Sequence, residues 1–254
     1  MNKLIELEWR QNKRSFWIAF FLVGILQAIP AIAAKPYLES ESLINKSVTQ
    51  PHQETHLTFE GWVSGQPFTF FLLILGFFAI SWSICSIVKD QDRQTTEFLY
   101  TMPHSRTSIY FSKWLANIVQ VLIIAVISAG IVLLIGKSTT MMNDPWTVCS
   151  IMIAGLLITL GFMGIGFALT SWLHSERGAL SMGIAVVFIM FLLNMLSDLN
   201  DSVKWLENVS LFNLFDVNAI SQGAGLPVGN VVVALTLFVL GSIAGWMKLT
   251  RKDL

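Results

Sequence analysis

The strongest constraint on this chain is where its charges are missing. Six stretches contain no Asp, Glu, Lys or Arg: 15–34, 61–88, 114–136, 145–173, 178–197 and 217–247. A helix rises about 1.5 Å per residue, so roughly 20 apolar residues cross a hydrocarbon core about 30 Å thick. Every one of the six is long enough. A charge at the centre of a membrane helix costs roughly 2.5–3.5 kcal/mol, which explains why all 16 Lys+Arg and 16 Asp+Glu lie between the stretches. We therefore read an all-α polytopic membrane protein, a single domain over 1–254. Its transmembrane helices are placed at 15–34, 67–88, 114–136, 146–173, 178–197 and 228–247.

The cations give this bundle a direction. With the N-terminus inside, the inner segments carry Lys3, Arg10, Lys13, Arg14, Lys89, Arg93, Arg106, Lys113, Arg177, Lys248, Arg251 and Lys252. The outer segments carry only Lys35, Lys46, Lys137 and Lys204. Twelve against four follows the excess of Lys and Arg found in cytoplasmic loops. Both termini are expected in the cytoplasm of a multi-pass cell-membrane protein. "AIPAIAAKP" resembles a signal-peptidase site, but Glu6 and Glu8 precede it and the apolar run suits a retained anchor better than a leader. Cys85 and Cys149 fall near opposite faces of the bilayer, too far apart for a disulfide. The net charge is zero, and no nucleic-acid partner is expected.

The segments between spans are uneven in character. Within 1–14, Lys3, Glu6, Arg10, Lys13 and Arg14 share one helical arc, with Leu4, Ile5, Leu7 and Trp9 outside it. That pattern predicts an interfacial helix on the inner membrane surface, although Glu8 interrupts its apolar side. The outer segment 35–66 reads as a long polar loop. His52 and His56 in it have helical metal-ligand spacing but no third ligand, so exposed histidines are the better reading. Residues 200–226 mix Trp205, Phe212 and Phe215 with charges, and predict one or two short helices at the outer surface. Gly241 and Gly245 give a small-xxx-small pattern that suits packing within the subunit.

Catalytic chemistry is not visible. "GIVLLIGKSTT" at 130–140 has five aliphatic residues between its glycines where a phosphate loop needs four, and it lies on the outer side. No nucleotide site, metal site or nucleophile–base set emerges, so a membrane-embedded enzyme is the least favoured class. The amides Asn117, Gln120 and Asn194 lie within spans. They read first as interhelical hydrogen bonders, and as candidate lining of a substrate path.

The densest polar signal is "DRQTTEFLYTMPHSRTSIYFSK", residues 92–113, on the inner side between spans two and three. Residues 92–103 can form a helix with Thr95, Phe98, Leu99 and Met102 on one side and Asp92, Arg93 and Glu97 around it. Pro103 then stops it, because proline disfavours helix at the residue before. A short helix of this kind suits a partner's groove or simply a solvated loop, and physics alone leaves both open.

The same residues resemble the inner loop of permease subunits of type-2 ABC exporters. That pattern runs Arg-Gly-Thr-x-Glu-x-Leu, then three residues, Pro-x-x-Arg, and a Lys opening the next span. Arg93, Thr95, Glu97, Leu99, Pro103, Arg106 and Lys113 match it, while Gln94 replaces the glycine. "SLFNLFDVNAI" is similar to the segment these permeases carry before their last span. The resemblance implies an ATP-driven exporter subunit with a coupling helix at 92–103 and a connecting helix at 1–14. It also implies two copies of a cytosolic ABC ATPase that bind ATP and Mg, a second permease (identical or paralogous), and no cofactor in this chain. A stand-alone immunity or scaffold protein fits the spans but leaves the 92–113 pattern unexplained.

Overall fold

A computed structural model describes residues 2–47, 58–92, 106–170, 172–173, 175–199, 204–206 and 209–251. No strand occurs among them, and six helices are long and apolar enough to cross a membrane. In chain order they are α1 (Asn2–Ser47), α3 (Gln66–Asp92), α4 (Arg106–Ser138), α5 (Pro145–Leu169), α6 (Glu176–Leu199) and α8 (Val228–Arg251). Two short helices, α2 (Phe59–Ser64) and α7 (Val217–Ser221), precede α3 and α8.

Local chemistry sets several boundaries. Asp144 opens α5 by accepting from Trp146 N at 3.0 Å and Thr147 Oγ1 at 2.8 Å, with Pro145 just inside the helix. Those two donors, the Thr147 hydroxyl first, hold the exposed Asp144 carboxyl below its usual range. Thr58 caps α2 by accepting from Gly61 N, and Asp216 caps α7 by accepting from Ala219 N.

Burial divides the spans into an inner pair and an outer ring. In α3 and α5, 67% and 72% of the most apolar window is buried, against 17–33% in the other four. These two helices pack along each other. Around them α1 and α4 pair on one flank, α6 lies on α3, and α8 lies on α5. Gly164 and Gly241 allow the α5–α8 backbones to touch: a Cβ at Gly164 would sit 2.5 Å from the Leu237 carbonyl, and one at Gly241 would overlap the Gly164 carbonyl. The small-residue pattern of the last span is thus spent inside the subunit.

Helix ends depart from the sequence expectation in two places. Residues 1–14 do not form a separate interfacial element, because α1 runs unbroken from Asn2 through the first span to Ser47. It also consumes much of the expected 35–66 loop, where Leu38 is buried and Tyr37 packs its ring 4.3 Å from that of Trp62. Pro30 and Pro36 lie within α1 without ending it. Between α6 and α8 the chain forms a 3₁₀ turn at Leu211–Asn213 and then α7. Leu211, Phe212, Phe215 and Ile220 turn into the bundle, and Ser210 Oγ donates to the Met190 carbonyl at 2.8 Å.

Candidate functional site at the base of the bundle

The base of the bundle is the end where α1, α4 and α6 start and α3, α5 and α8 finish. Segment 93–105 belongs to this end, joining α3 to α4. Arg93, Thr95, Glu97, Phe98, Leu99, Met102 and Pro103 all lie outside the described residues, as do His52, His56 and His174 elsewhere. Asp92 is the last residue of α3, and Arg106, half-buried, is the first of α4. Helices α3 and α4 therefore take in Asp92 and residues 106–113 of the 92–113 signal.

At this end of the bundle three helices build a polar junction. Glu8 of α1 and Lys113 of α4 form an ion pair whose side chains are only 8% and 4% exposed. One turn further in, Asn12 Nδ2 donates to Asn117 Oδ1 at 3.4 Å. Asn117 Nδ2 in turn donates to Ser86 Oγ at 3.2 Å and to the Trp82 carbonyl at 3.3 Å, both on α3. Trp82 closes the set by donating from Nε1 to Ser15 Oγ at 2.8 Å. Buried charge is tolerated only when paired and further hydrogen-bonded, so Glu8 occupies the apolar side of α1 because Lys113 faces it there. A cavity of about 210 Å³ borders this junction, between α1, α3 and the start of α6. Glu8, Asn12, Ser86, Lys89 and Glu176 supply much of its polar wall.

The remaining candidates of the first helix point elsewhere. Arg10 pairs with Glu6 at 2.8 Å on the exposed side, and Lys13 and Arg14 are exposed. Trp9 packs at a tilt against Phe16, with ring centroids 5.1 Å apart. The side chain of Lys3 lies outside the described residues. Helix α1 therefore presents a cationic strip to the outside while its opposite face holds α4.

The three span amides are not equivalent. Asn117 is consumed by the junction. Gln120, fully buried one turn on, has neither amide atom partnered among the described residues. Asn194 is half-buried on α6, a helix that packs on α3. On the other side of α4, Tyr110 donates to the Ser242 carbonyl at 2.5 Å and Trp114 Nε1 to Ser242 Oγ at 3.0 Å. These bonds tie α4 to α8 along an apolar groove of about 180 Å³.

Sequence reasoning took Glu8 as an interruption and as evidence against a leader, and Lys113 as an inner cation and the end of the loop pattern. A signal was present. Glu8, Asn12 and Ser15 on α1 repeat the spacing of Lys113, Asn117 and Gln120 on α4. Both observed contacts join residues 105 apart, as two parallel helices in one register require.

A family model described as ABC-2 family transporter protein matches residues 4–250, all six spans included. The chain belongs to the ABC-2 transporter family. No curated protein matches it. As an ABC-2 family member with six apolar helices, it is a multi-pass membrane protein and a permease of an ABC transporter. Its polar base has to be understood as part of a transporter membrane subunit.

Proposed function

We propose that this ABC-2 permease is the membrane subunit of an ATP-driven exporter, with its base facing the cytosol and docked on a separate ABC ATPase. The family match over 4–250 carries this reading. The sidedness of the cations and the 93–113 pattern support the orientation and the docking element. Residues 92–103 act as the coupling helix, presenting Phe98, Leu99 and Met102 to a groove and Glu97 to a cation at its edge. Arg106 anchors the return into α4. The exposed strip of α1 (Arg10, Lys13 and Arg14) rests beside it as the connecting surface.

Two permeases and two ATPases make the working assembly, and ATP and Mg belong to the ATPase. The exposed apolar faces of the outer helices meet lipid and the second permease. Gln120 is the polar group we favour for the substrate path, with Asn194 as a second; Asn117 belongs to the helix junction.

The test is a pull-down from membranes with a tagged chain, scored for a co-purifying ATPase and its ATP hydrolysis. Glu97→Lys sets a like charge against the partner's cation and should release the ATPase, since losing a desolvated charge partner costs about 2–5 kcal/mol of binding. That is roughly 30- to several-thousand-fold in affinity. Glu54→Lys, on the far side of the membrane, should leave association unchanged. Equal behaviour of the two variants would refute docking through 92–103.

A further inference from the structure

Helix α1 is held by side chains at two levels, near residues 8–12 and near residues 30–37. Its 46 residues, with Pro30 and Pro36 inside, have a helical contour of about 69 Å, against roughly 40–45 Å for a whole bilayer. At the base, the Glu8–Lys113 ion pair and the Asn12–Asn117 hydrogen bond fix it to the first turns of α4, immediately after segment 93–105. At the opposite end, the cap, Trp62 of α2 donates from Nε1 to the Pro30 carbonyl at 2.9 Å and packs against Tyr37. The chain of contacts continues from there. Glu60, also on α2 and 3% exposed, accepts from Asn143 N at 2.7 Å and from Asp144 N at 2.9 Å, at the start of α5.

We propose that α1 is a transmission rod, and that Glu8, Lys113 and Trp62 are positioning residues that carry displacement of the base to the cap. The inference rests on the permease reading above, in which the ATPase moves segment 93–105. A push on that segment reaches the foot of α4. Parting the buried ion pair would take a desolvated partner from each charge, so α1 follows α4 as one body. Ala19 and Val23, fully buried between the two clamps, keep the rod seated along its length. Its far end then moves α2 through Trp62, and Glu60 passes the motion to the 143–144 turn that opens α5. Packed elements respond as discrete rigid-body shifts rather than by smooth deformation. Contiguous hydrogen bonds and ion pairs are the physical means of such coupling.

The test uses the full chain with its co-purified ATPase in lipid nanodiscs, in a Cys85→Ser/Cys149→Ser background. Trp146→Cys, at an exposed position beside the 143–144 turn, carries an environment-sensitive fluorophore, and ATP with vanadate is the trigger. With both clamps intact, vanadate trapping should shift the emission. Glu8→Leu/Lys113→Met removes the ion pair from the base clamp without leaving a lone buried charge, and Trp62→Phe removes only the cap donor. Each should lose most of the shift while ATPase retention and ATP hydrolysis persist. The charge exchange Glu8→Lys/Lys113→Glu should restore it. A full shift in the Leu/Met and Phe variants, or none with intact clamps and bound ATPase, overturns the rod. Failure of any ATPase to co-purify with the unmodified chain overturns the permease reading itself, and the pull-down scores that separately.

Discussion

Lys113→Met should be among the most damaging single changes in this protein, and Glu8→Leu should largely repair it. Lys113 and Glu8 are 4% and 8% exposed, enclosed by α1, α3 and α4. Removing the ammonium takes from the buried carboxylate the counter-charge that faces it across α1 and α4. Breaking one partner of a buried pair costs about 3–5 kcal/mol, whereas replacing both by apolar residues of similar volume ranges from neutral to about 1–4 kcal/mol stabilising. At 1.4 kcal/mol per tenfold, the single change lowers the folding equilibrium roughly a hundred- to several-thousand-fold. The neighbouring cavity of about 210 Å³ gives water a route to Glu8, which places the expectation at the lower end. The double variant should then recover nearly all of the loss, far beyond the roughly 0.3–0.5 kcal/mol scatter of independent sites. Reversible unfolding in mixed micelles, followed by the fluorescence of the nine tryptophans, measures all four corners of the cycle. A Lys113→Met protein as stable as the parent, or a double variant no better than the weaker single, would refute the pairing.

Three further outcomes follow from the same geometry. Gly241→Ala drives a methyl into the Gly164 carbonyl and should destabilise by about 1–3 kcal/mol or more, while Gly130→Ala, with nothing within 4 Å, should be neutral or gain up to about 1 kcal/mol from helix propensity; thermal retention by size-exclusion chromatography separates them. A single cysteine placed at position 50 should react with an impermeant maleimide in intact cells, and reaction only after permeabilisation would reverse the orientation. Deleting residues 2–14 removes Glu8 and Asn12 from Lys113 and Asn117, so it should lower the yield of folded protein as well as ATPase retention. A normal folded yield would show that the junction is dispensable.

Charges excluded from six long stretches already required six spans, and the structure has six helices of that kind. What periodicity could not reveal was where each helix stops being transmembrane and simply continues. Helix α4 begins at Arg106 rather than at 114 because Lys113, which looks like a terminating charge, is satisfied inside the bundle by Glu8. Helix α1 runs from Asn2 through the first span to Ser47, with Tyr37 packed on Trp62 of α2 and Leu38 buried. The 92–113 pattern was legible only through resemblance, since a short amphipathic helix and a solvated loop share the same composition.

The sequence by itself determined the number of spans, the helical class and the uneven spread of cations between alternate connecting segments, because each depends on the solvent that every residue meets. Hydrocarbon rejects charge and unpaired backbone at any position, whatever the neighbours. Which helices form the core, and what a given polar residue inside them does, only the tertiary structure decided. Glu8 reads as a flaw on the apolar side of a surface helix until α4 brings Lys113 to it from 105 residues away. Gly241 is an ordinary small residue until the Gly164 carbonyl arrives against it. A buried polar or small side chain takes its meaning from a partner, and packing chooses the partner.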